Sequence, residues 1–183
     1  MKLGLLTAPF PETPIMEVAD WSAANGFKSI EIACWPRSTG PSRRYAGTSH
    51  IDVANLSASQ ATDLRAEIES KGLHISGLGY YPNPLHPDPA HREQVIGHLG
   101  HVIVAAGRMG VPFVNTFMGG DAAKTQDENW ERALEIWPDI VSKAQDNGVR
   151  LTIENCPMIF SKDEWPGGQN IAWSPYIWRR ILE

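Results

Sequence analysis

The chain has 183 residues, with 16 basic and 21 acidic side chains, a net charge of −5 and 42% hydrophobic residues. This composition is typical of a soluble globular protein, and we expect residues 1–183 to form a single domain. No apolar run approaches the roughly 20 residues that a membrane helix needs, so a membrane-spanning protein is excluded. The sequence also lacks the basic runs that bind nucleic-acid phosphates, which leaves a small molecule as the expected partner.

The N-terminus and the cysteines predict a cytoplasmic location. Residues 1–6 carry one positive charge and an apolar run too short for a signal peptide, and we interpret them as a first strand. The only two cysteines are Cys34 and Cys156, which are too few for a disulfide framework. Both features are typical of proteins in a reducing compartment.

Four glycines mark an internal repeat. Each follows an amphipathic stretch and precedes an apolar run, and successive members are 46, 38 and 38 residues apart. A glycine at such a place ends a helix in the left-handed conformation and turns the chain into a buried strand. The spacing is close to that of one strand–helix unit. The four positions are Gly26, Gly72, Gly110 and Gly148.

Helix signals fill the stretches between the predicted strands. Apolar residues recur at helical spacing over residues 15–23 and again over residues 95–106. Capping boxes at residues 57–60 and 125–128 begin two further helices. Pro138 lies inside the last of these patterns, and we expect it to kink that helix without ending it.

A fifth helix is predicted close to the end of the sequence. Ser174 and Pro175 match an N-cap and a first helical turn. Apolar residues at helical spacing continue to Leu182, and no C-cap signal follows them. We therefore expect the chain to end inside this helix.

Five strands that alternate with helices predict a parallel sheet, and two architectures compete: an open doubly wound sheet and a (β/α)₈ barrel. A nucleotide-binding open sheet carries a glycine-rich loop after its first strand. Residues 7–11 contain no glycine, and residues 77–82 lack the last glycine of the G-x-G-x-x-G pattern. We therefore predict a parallel α/β fold of the TIM-barrel type, incomplete at its C-terminus after about five of eight units.

Two carboxylates fall on predicted strands. Glu154 ends the fifth strand beside Asn155, and such a charge needs either a divalent cation or a neighbouring basic side chain. Its position leaves those two alternatives open. Glu31 lies within the second strand, where we favour a hydrogen-bonded interior carboxylate over a catalytic residue or a metal ligand.

Several other side chains follow predicted strands and are candidates for substrate binding. The proline-rich loop over residues 80–89 is stiff, and it carries Tyr81 and His86, although we favour a merely solvated His86. Asn115 ends the fourth strand, where its amide would hold a hydroxyl or phosphate group, and Asn155, next to Glu154, is a further candidate for substrate binding. Trp35 and Trp165 come just after strands and could stack on a sugar ring.

The remaining chemistry-bearing side chains are expected to be structural. His98 and His101 lie three apart on a helix without a third ligand, and we predict that both are surface histidines. Cys156 is expected to pack rather than to act as a nucleophile. We also expect Trp130 and Trp137, seven residues apart, to pack on the barrel.

The sequence resembles the sugar phosphate isomerase/epimerase group of xylose-isomerase-like TIM barrels. The resemblance covers essentially the whole chain and depends on the order and spacing of four modest motifs. These are residues 26–32 around Glu31, residues 81–85, residues 152–158 around Glu154, and residues 163–168.

The resemblance implies a metal-dependent isomerase or epimerase that acts on a sugar, sugar phosphate or related keto-polyol through a cis-enediolate. It makes Glu154 a ligand of a divalent ion (Mn²⁺, Mg²⁺, Co²⁺ or Zn²⁺) and a candidate base. The other family ligands, an Asp, a His and a second Glu, come from strands six to eight, which this sequence does not contain. We therefore expect the 183-residue chain alone to be inactive, with His86 and Trp35 lining the substrate.

Two alternatives come from other classes of function. Apurinic endonucleases of a related fold use a histidine-rich zinc site, whereas the strand ends here offer Glu31, Asn115 and Glu154 in an acidic chain. That alternative is disfavoured. The other alternative is a non-catalytic half-barrel whose first and fifth strands pair with another copy, which would make the protein a homo-oligomer.

Overall fold

The computed structural model describes residues 2–37, 47–156 and 170–183. They form five strands and five helices that alternate along the chain. No helix within these ranges is long and apolar enough to cross a membrane. The strands are β1 (Gly4–Leu6), β2 (Ser29–Ala33), β3 (His74–Gly79), β4 (Phe113–Thr116) and β5 (Arg150–Ile153), and the helices are α1 (Ile15–Ala24), α2 (Ala58–Ser70), α3 (Pro89–Met109), α4 (Gln126–Asp146) and α5 (Pro175–Leu182).

The sheet is parallel, and its strands lie side by side in chain order, β1-β2-β3-β4-β5. A doubly wound sheet reverses its strand order at a switch point, whereas a β/α barrel adds each strand beside the previous one. The observed order therefore confirms the TIM-barrel type of α/β fold. Within the described residues, β1 and β5 form the two open edges of this sheet.

The local signals read from the sequence act as predicted. Ser57 and Thr125 each form a complete capping box, with Gln60 and Glu128 respectively. The four repeat glycines all have positive φ, between 64° and 84°, as a turn from helix to strand requires. Pro138 lies inside α4, which continues beyond it to Asp146.

The main core lies between the sheet and the helices. Alternate strand residues, among them Ile30, Ile32 and Leu78, are fully buried there against side chains of α2 and α3. A second cluster joins α4 and α5 to the loops after β3 and β4, and Trp130 and Trp137 pack against it as predicted.

The opposite face of the same strands is polar. Glu31 projects there from β2, Asn115 from β4 and Thr152 from β5. The β2–β3 register shifts between Ile30 and Glu31, a local irregularity of the kind that re-aims a side chain. In a closed barrel this face forms the lumen, and we call it the lumen face.

One predicted surface residue has a structural role. His98 is partly buried on α3, and its Nε2 donates a hydrogen bond of 2.7 Å to the carbonyl oxygen of Cys34. Its ring also packs on Tyr80, with centroids 4.6 Å apart. The prediction of a surface histidine was wrong here because the carbonyl at the end of β2 needs a donor. His101 is exposed, as predicted.

Candidate functional site

Glu154 lies one residue beyond β5, at the carboxyl end of the sheet. Its amide donates to the carbonyl of Thr116 at 3.0 Å, which continues the β4–β5 ladder by one residue. Asn170, which is 3% exposed, donates through Nδ2 to the carbonyls of Glu154 at 2.9 Å and of Cys156 at 3.0 Å. The backbone that carries the Glu154 side chain is therefore held on both sides, while the residue is exposed as a whole and its carboxylate is only partly buried.

Glu31 is held by a polar network that crosses the lumen face. The Tyr81 hydroxyl donates to Oε1 of Glu31, and the Asn115 side chain hydrogen-bonds the same carboxylate. Thr152 in turn donates to Oδ1 of Asn115. We call the four residues Glu31, Tyr81, Asn115 and Thr152 the lumen network.

Two glycines of β3 leave the space that the lumen network occupies. A Cβ at Gly77 would lie 2.8 Å from Nδ2 of Asn115. A Cβ at Gly79 would overlap Oε1 of Glu31 and lie 3.1 Å from the Tyr81 ring. Because any larger side chain would displace the network, the glycines and the polar groups form one arrangement.

The two carboxylates influence each other. Burial raises the pKa of Glu31, and the hydrogen bonds from Tyr81 and Asn115 oppose that rise. Partial burial and the negative charge of Glu31 also raise the pKa of Glu154. Burial, the charge of Glu31 and the hydrogen bond to it, and the charge of Glu154 all raise the pKa of the Tyr81 hydroxyl, which therefore keeps its proton.

Aromatic rings form a wall beside this network. Tyr81 packs on Trp35 and Phe117, with ring centroids 5.8 Å and 5.1 Å apart. Trp35 is only 4% exposed, so it does not offer the free ring face that stacking on a sugar would need. Its indole N–H is buried and has no hydrogen-bond partner among the residues that the structure describes.

The other predicted substrate-binding residues lie outside the lumen network. His86 lies in the loop after β3, where its Nδ1 accepts from the Asp88 amide at 3.1 Å and its ring contacts His91. Asn155 follows Glu154 and is exposed. Both residues stay predictions, and Trp165 falls outside the described residues, as do residues 157–158 and 163–168 of the quoted motifs.

A model of the xylose isomerase-like TIM barrel family matches residues 19–172. The chain belongs to this family. A comparison with curated protein sequences finds no match.

Solved structures of the same fold include enzymes with different activities. D-psicose 3-epimerase from Clostridium cellulolyticum H10, solved with D-tagatose, is 20% identical over 91% of this chain and 55% of its own, with a TM-score of 0.60. The probable 3-DHS dehydratase AsbF from Bacillus anthracis is 16% identical over 86% and 53%, also at 0.60. IolI protein with a bound zinc atom is 14% identical over 84% and 51%, at 0.59. The chain therefore spans about half the length of each.

The donor chemistry of this xylose isomerase-like chain suits a divalent cation only in part. Glu154 and Glu31 supply hard carboxylate oxygens, which such ions favour. However, residues 2–37, 47–156 and 170–183 contain no group of three His, Cys, Asp or Glu side chains able to hold a metal ion. These residues thus do not make a metal centre by themselves, and the assignment of Glu154 as a metal ligand stays a prediction.

Sequence reasoning missed the residues that fix the loops around the site. Asn83, which is 5% exposed, accepts from the Gly120 amide at 2.9 Å and donates to the Gly120 carbonyl at 2.6 Å. The Ile171 amide donates to the carbonyl of Gly119 at 2.9 Å. Neither Asn83 nor Asn170 directly follows a strand, so a search of strand ends does not find them. The signal for Asn83 was the pair of glycines at 119 and 120, against which its side chain packs.

Proposed function

We propose that this chain carries the base-bearing part of an isomerase or epimerase site for a sugar or related keto-polyol. Glu154 is the proposed base, which removes the proton from the carbon next to the ketone to give an enediolate. The observation that carries the proposal is the position of Glu154, at the carboxyl end of β5 and electrostatically coupled to a second carboxylate. Active residues of TIM barrels lie at this end of the strands.

The environment of Glu154 favours proton abstraction. A raised pKa makes a carboxylate a stronger base toward a weakly acidic C–H bond. The backbone contacts with Thr116 and Asn170 fix the point from which the side chain reaches the substrate. The family and the epimerase among its solved structures support this class of reaction.

A divalent ion (Mn²⁺, Mg²⁺, Co²⁺ or Zn²⁺) belongs to this proposal, with Glu154 as the described residue that would help to hold it. Such an ion supplies Lewis-acid stabilisation of negative charge on oxygen when it is bound. We also propose a cytoplasmic location, in keeping with two free cysteines, Cys34 and Cys156.

Solvent deuterium exchange tests the proposed function. The protein is produced from its full coding sequence and supplied with Mn²⁺. It is then incubated in D₂O with D-fructose or D-tagatose, and the incorporation of deuterium at C3 and C1 of the sugar is followed by NMR. We expect exchange in the wild type and a loss of about 10³-fold or more in E154Q, because Gln retains the size but cannot take up a proton.

The matched control is E67Q, at an exposed glutamate of α2, which should exchange at the wild-type rate. Treatment with EDTA should abolish exchange, and added Mn²⁺ should restore it. Exchange that persists in E154Q would contradict the assignment of the base. A wild-type protein that exchanges no ketose would contradict the proposed function.

One observation favours the alternative of a non-catalytic half-barrel that pairs with a second copy. In the described part of the chain, β1 and β5 each have a strand on one side only. Unpaired strand edges can pair with a second copy. Light scattering after size-exclusion chromatography measures this directly, and a monomer that exchanges deuterium would contradict the alternative.

A further inference from the structure

Both hydroxyl donors of the lumen network are used inside the protein. The Thr152 hydroxyl donates to Asn115, and the Tyr81 hydroxyl donates to Glu31. Asn115 interacts with Glu31 and Tyr81 and lowers the pKa of each. What the network can still offer a ligand is acceptor capacity, chiefly the remaining lone pairs of the Glu31 carboxylate. Glu31 is only partly buried, so a ligand in the site can reach it.

We propose that Glu31 accepts a hydrogen bond from a hydroxyl group of an uncharged polyol substrate and thereby discriminates against anionic substrates. The inference rests on the proposed function and names its substrate class. A hydroxyl group can donate its proton to the Glu31 carboxylate. A carboxylate or a fully ionised phosphate has no proton to donate, and the negative charges of Glu31 and Glu154, which influence each other in this site, repel it.

The surroundings of Glu31 fix the direction of its carboxylate. The Tyr81 hydroxyl donates to it, Asn115 interacts with it, and Gly79 leaves the space that its Oε1 fills. The β2–β3 pairing skips Ser76 of β3 next to this position, while β2 itself stays regular. Glu31 is therefore the specificity-determining residue in this proposal, and Tyr81 is a positioning residue that acts through it.

Binding measurements test the proposal separately from turnover. Calorimetry with saturating Mn²⁺ compares D-fructose with 2-keto-D-gluconate, in which a carboxylate replaces the hydroxymethyl group next to the ketone. We expect the wild type to bind D-fructose at least about tenfold more tightly than the acid. In E31Q the affinity for D-fructose should fall at least about tenfold, because hydrogen bonds to charged groups are stronger than those to neutral groups. The ratio of the affinities for D-fructose and 2-keto-D-gluconate should also become smaller, because one of the two negative charges is removed.

Two further variants make the test specific. Y81F keeps the ring but frees the carboxylate, and a smaller loss of D-fructose affinity, about threefold, is expected. E67Q, at an exposed glutamate of α2, should bind D-fructose like the wild type. Circular dichroism checks that each variant is folded, and Mn²⁺ titration of E31Q should give the wild-type metal affinity.

Each result has a defined meaning. If E31Q binds D-fructose as the wild type does, or if the acid binds as tightly as the sugar, the proposal is overturned while exchange that depends on Glu154 still supports the proposed function. Loss of Mn²⁺ affinity in E31Q would make Glu31 a metal ligand and also overturn it. A wild type that neither binds nor exchanges any ketose would overturn both proposals.

Discussion

The two faces of the sheet use the same strands for different purposes. On the helix side, Ile32 and Leu78 are fully buried in the main hydrophobic core. On the lumen face, the residues adjacent to them in the chain, Glu31 and Gly79, belong to a polar arrangement with Tyr81. Because side chains alternate along a strand, stability and chemistry are encoded in interleaved positions.

This difference shows how the fold tolerates a carboxylate in a strand. Burial of the apolar face supplies most of the free energy that stabilises the fold. The lumen face can therefore hold polar groups whose desolvation is unfavourable. Neighbouring residues should consequently respond to substitution in opposite ways. Leu78 and Gly79 are adjacent in β3 and allow that comparison directly.

The largest effect is expected on the helix side. Leu78→Ala removes a side chain with 0% exposure and leaves a cavity in the main core. We expect a loss of about 2–5 kcal/mol in the free energy of unfolding, measured by urea denaturation. The affinity of the folded protein for D-fructose should change little, since Leu78 faces away from the lumen network. A loss below about 1 kcal/mol would contradict the assignment of Leu78 to the core.

Gly79→Ala should show the reverse balance. The added methyl group would overlap Oε1 of Glu31, which Tyr81 and Asn115 hold in place. We expect a smaller loss of stability, about 1–3 kcal/mol, together with a clear loss of D-fructose affinity. The control is Gly97→Ala on α3, where a Cβ meets nothing within 4 Å and helix propensity favours Ala. If Gly79→Ala binds D-fructose as tightly as the wild type does, the lumen network does not take part in sugar binding.

Much of the fold was predictable because it depends on local signals. The capping boxes at Ser57 and Thr125 and the repeat glycines fix where helices start and stop, and each signal lies within a few residues of its effect. The barrel type of sheet followed from the alternation of strands with helices, combined with the missing phosphate loop. The sequential strand order confirmed it.

For the candidate site, the sequence predicted which residues lie on or next to strand ends but not which of them contact one another. Glu154, Asn115 and Glu31 were named from their positions, but nothing in the sequence indicates that Tyr81 reaches across 50 residues to Glu31. Asn170 and His98 were missed or misjudged for the same reason. Their partners are backbone carbonyls at the ends of β5 and β2, and a contact with a carbonyl leaves no pattern in the sequence.

The smallest expected effect is the pH dependence of stability that Glu31 contributes. Its pKa is raised in the folded protein relative to about 4.3 for an unfolded glutamate. The stabilising contribution of the neutral carboxyl is therefore complete below about pH 4.3 and is lost as the pH rises through the raised pKa. Between pH 4 and pH 7.5, the unfolding free energy of the wild type should fall relative to that of E31Q.

Glu128 provides a control of opposite sign. Hydrogen bonds with Thr125 and Lys124 lower the pKa of Glu128 to about 2, so its contribution is present above about pH 4.3 and is lost as the pH falls. We measure the free energy of unfolding by urea titration at several pH values. E128Q should be less stable than the wild type near neutral pH, and this difference should disappear in acid. E31Q should be more stable than the wild type near neutral pH, and that difference should also disappear in acid. Y81F should steepen the Glu31 effect, because the hydrogen bond that it removes opposes the rise in the pKa of Glu31. Parallel pH profiles for the wild type and E31Q would contradict a raised pKa and, with it, the burial of this carboxylate in the lumen network.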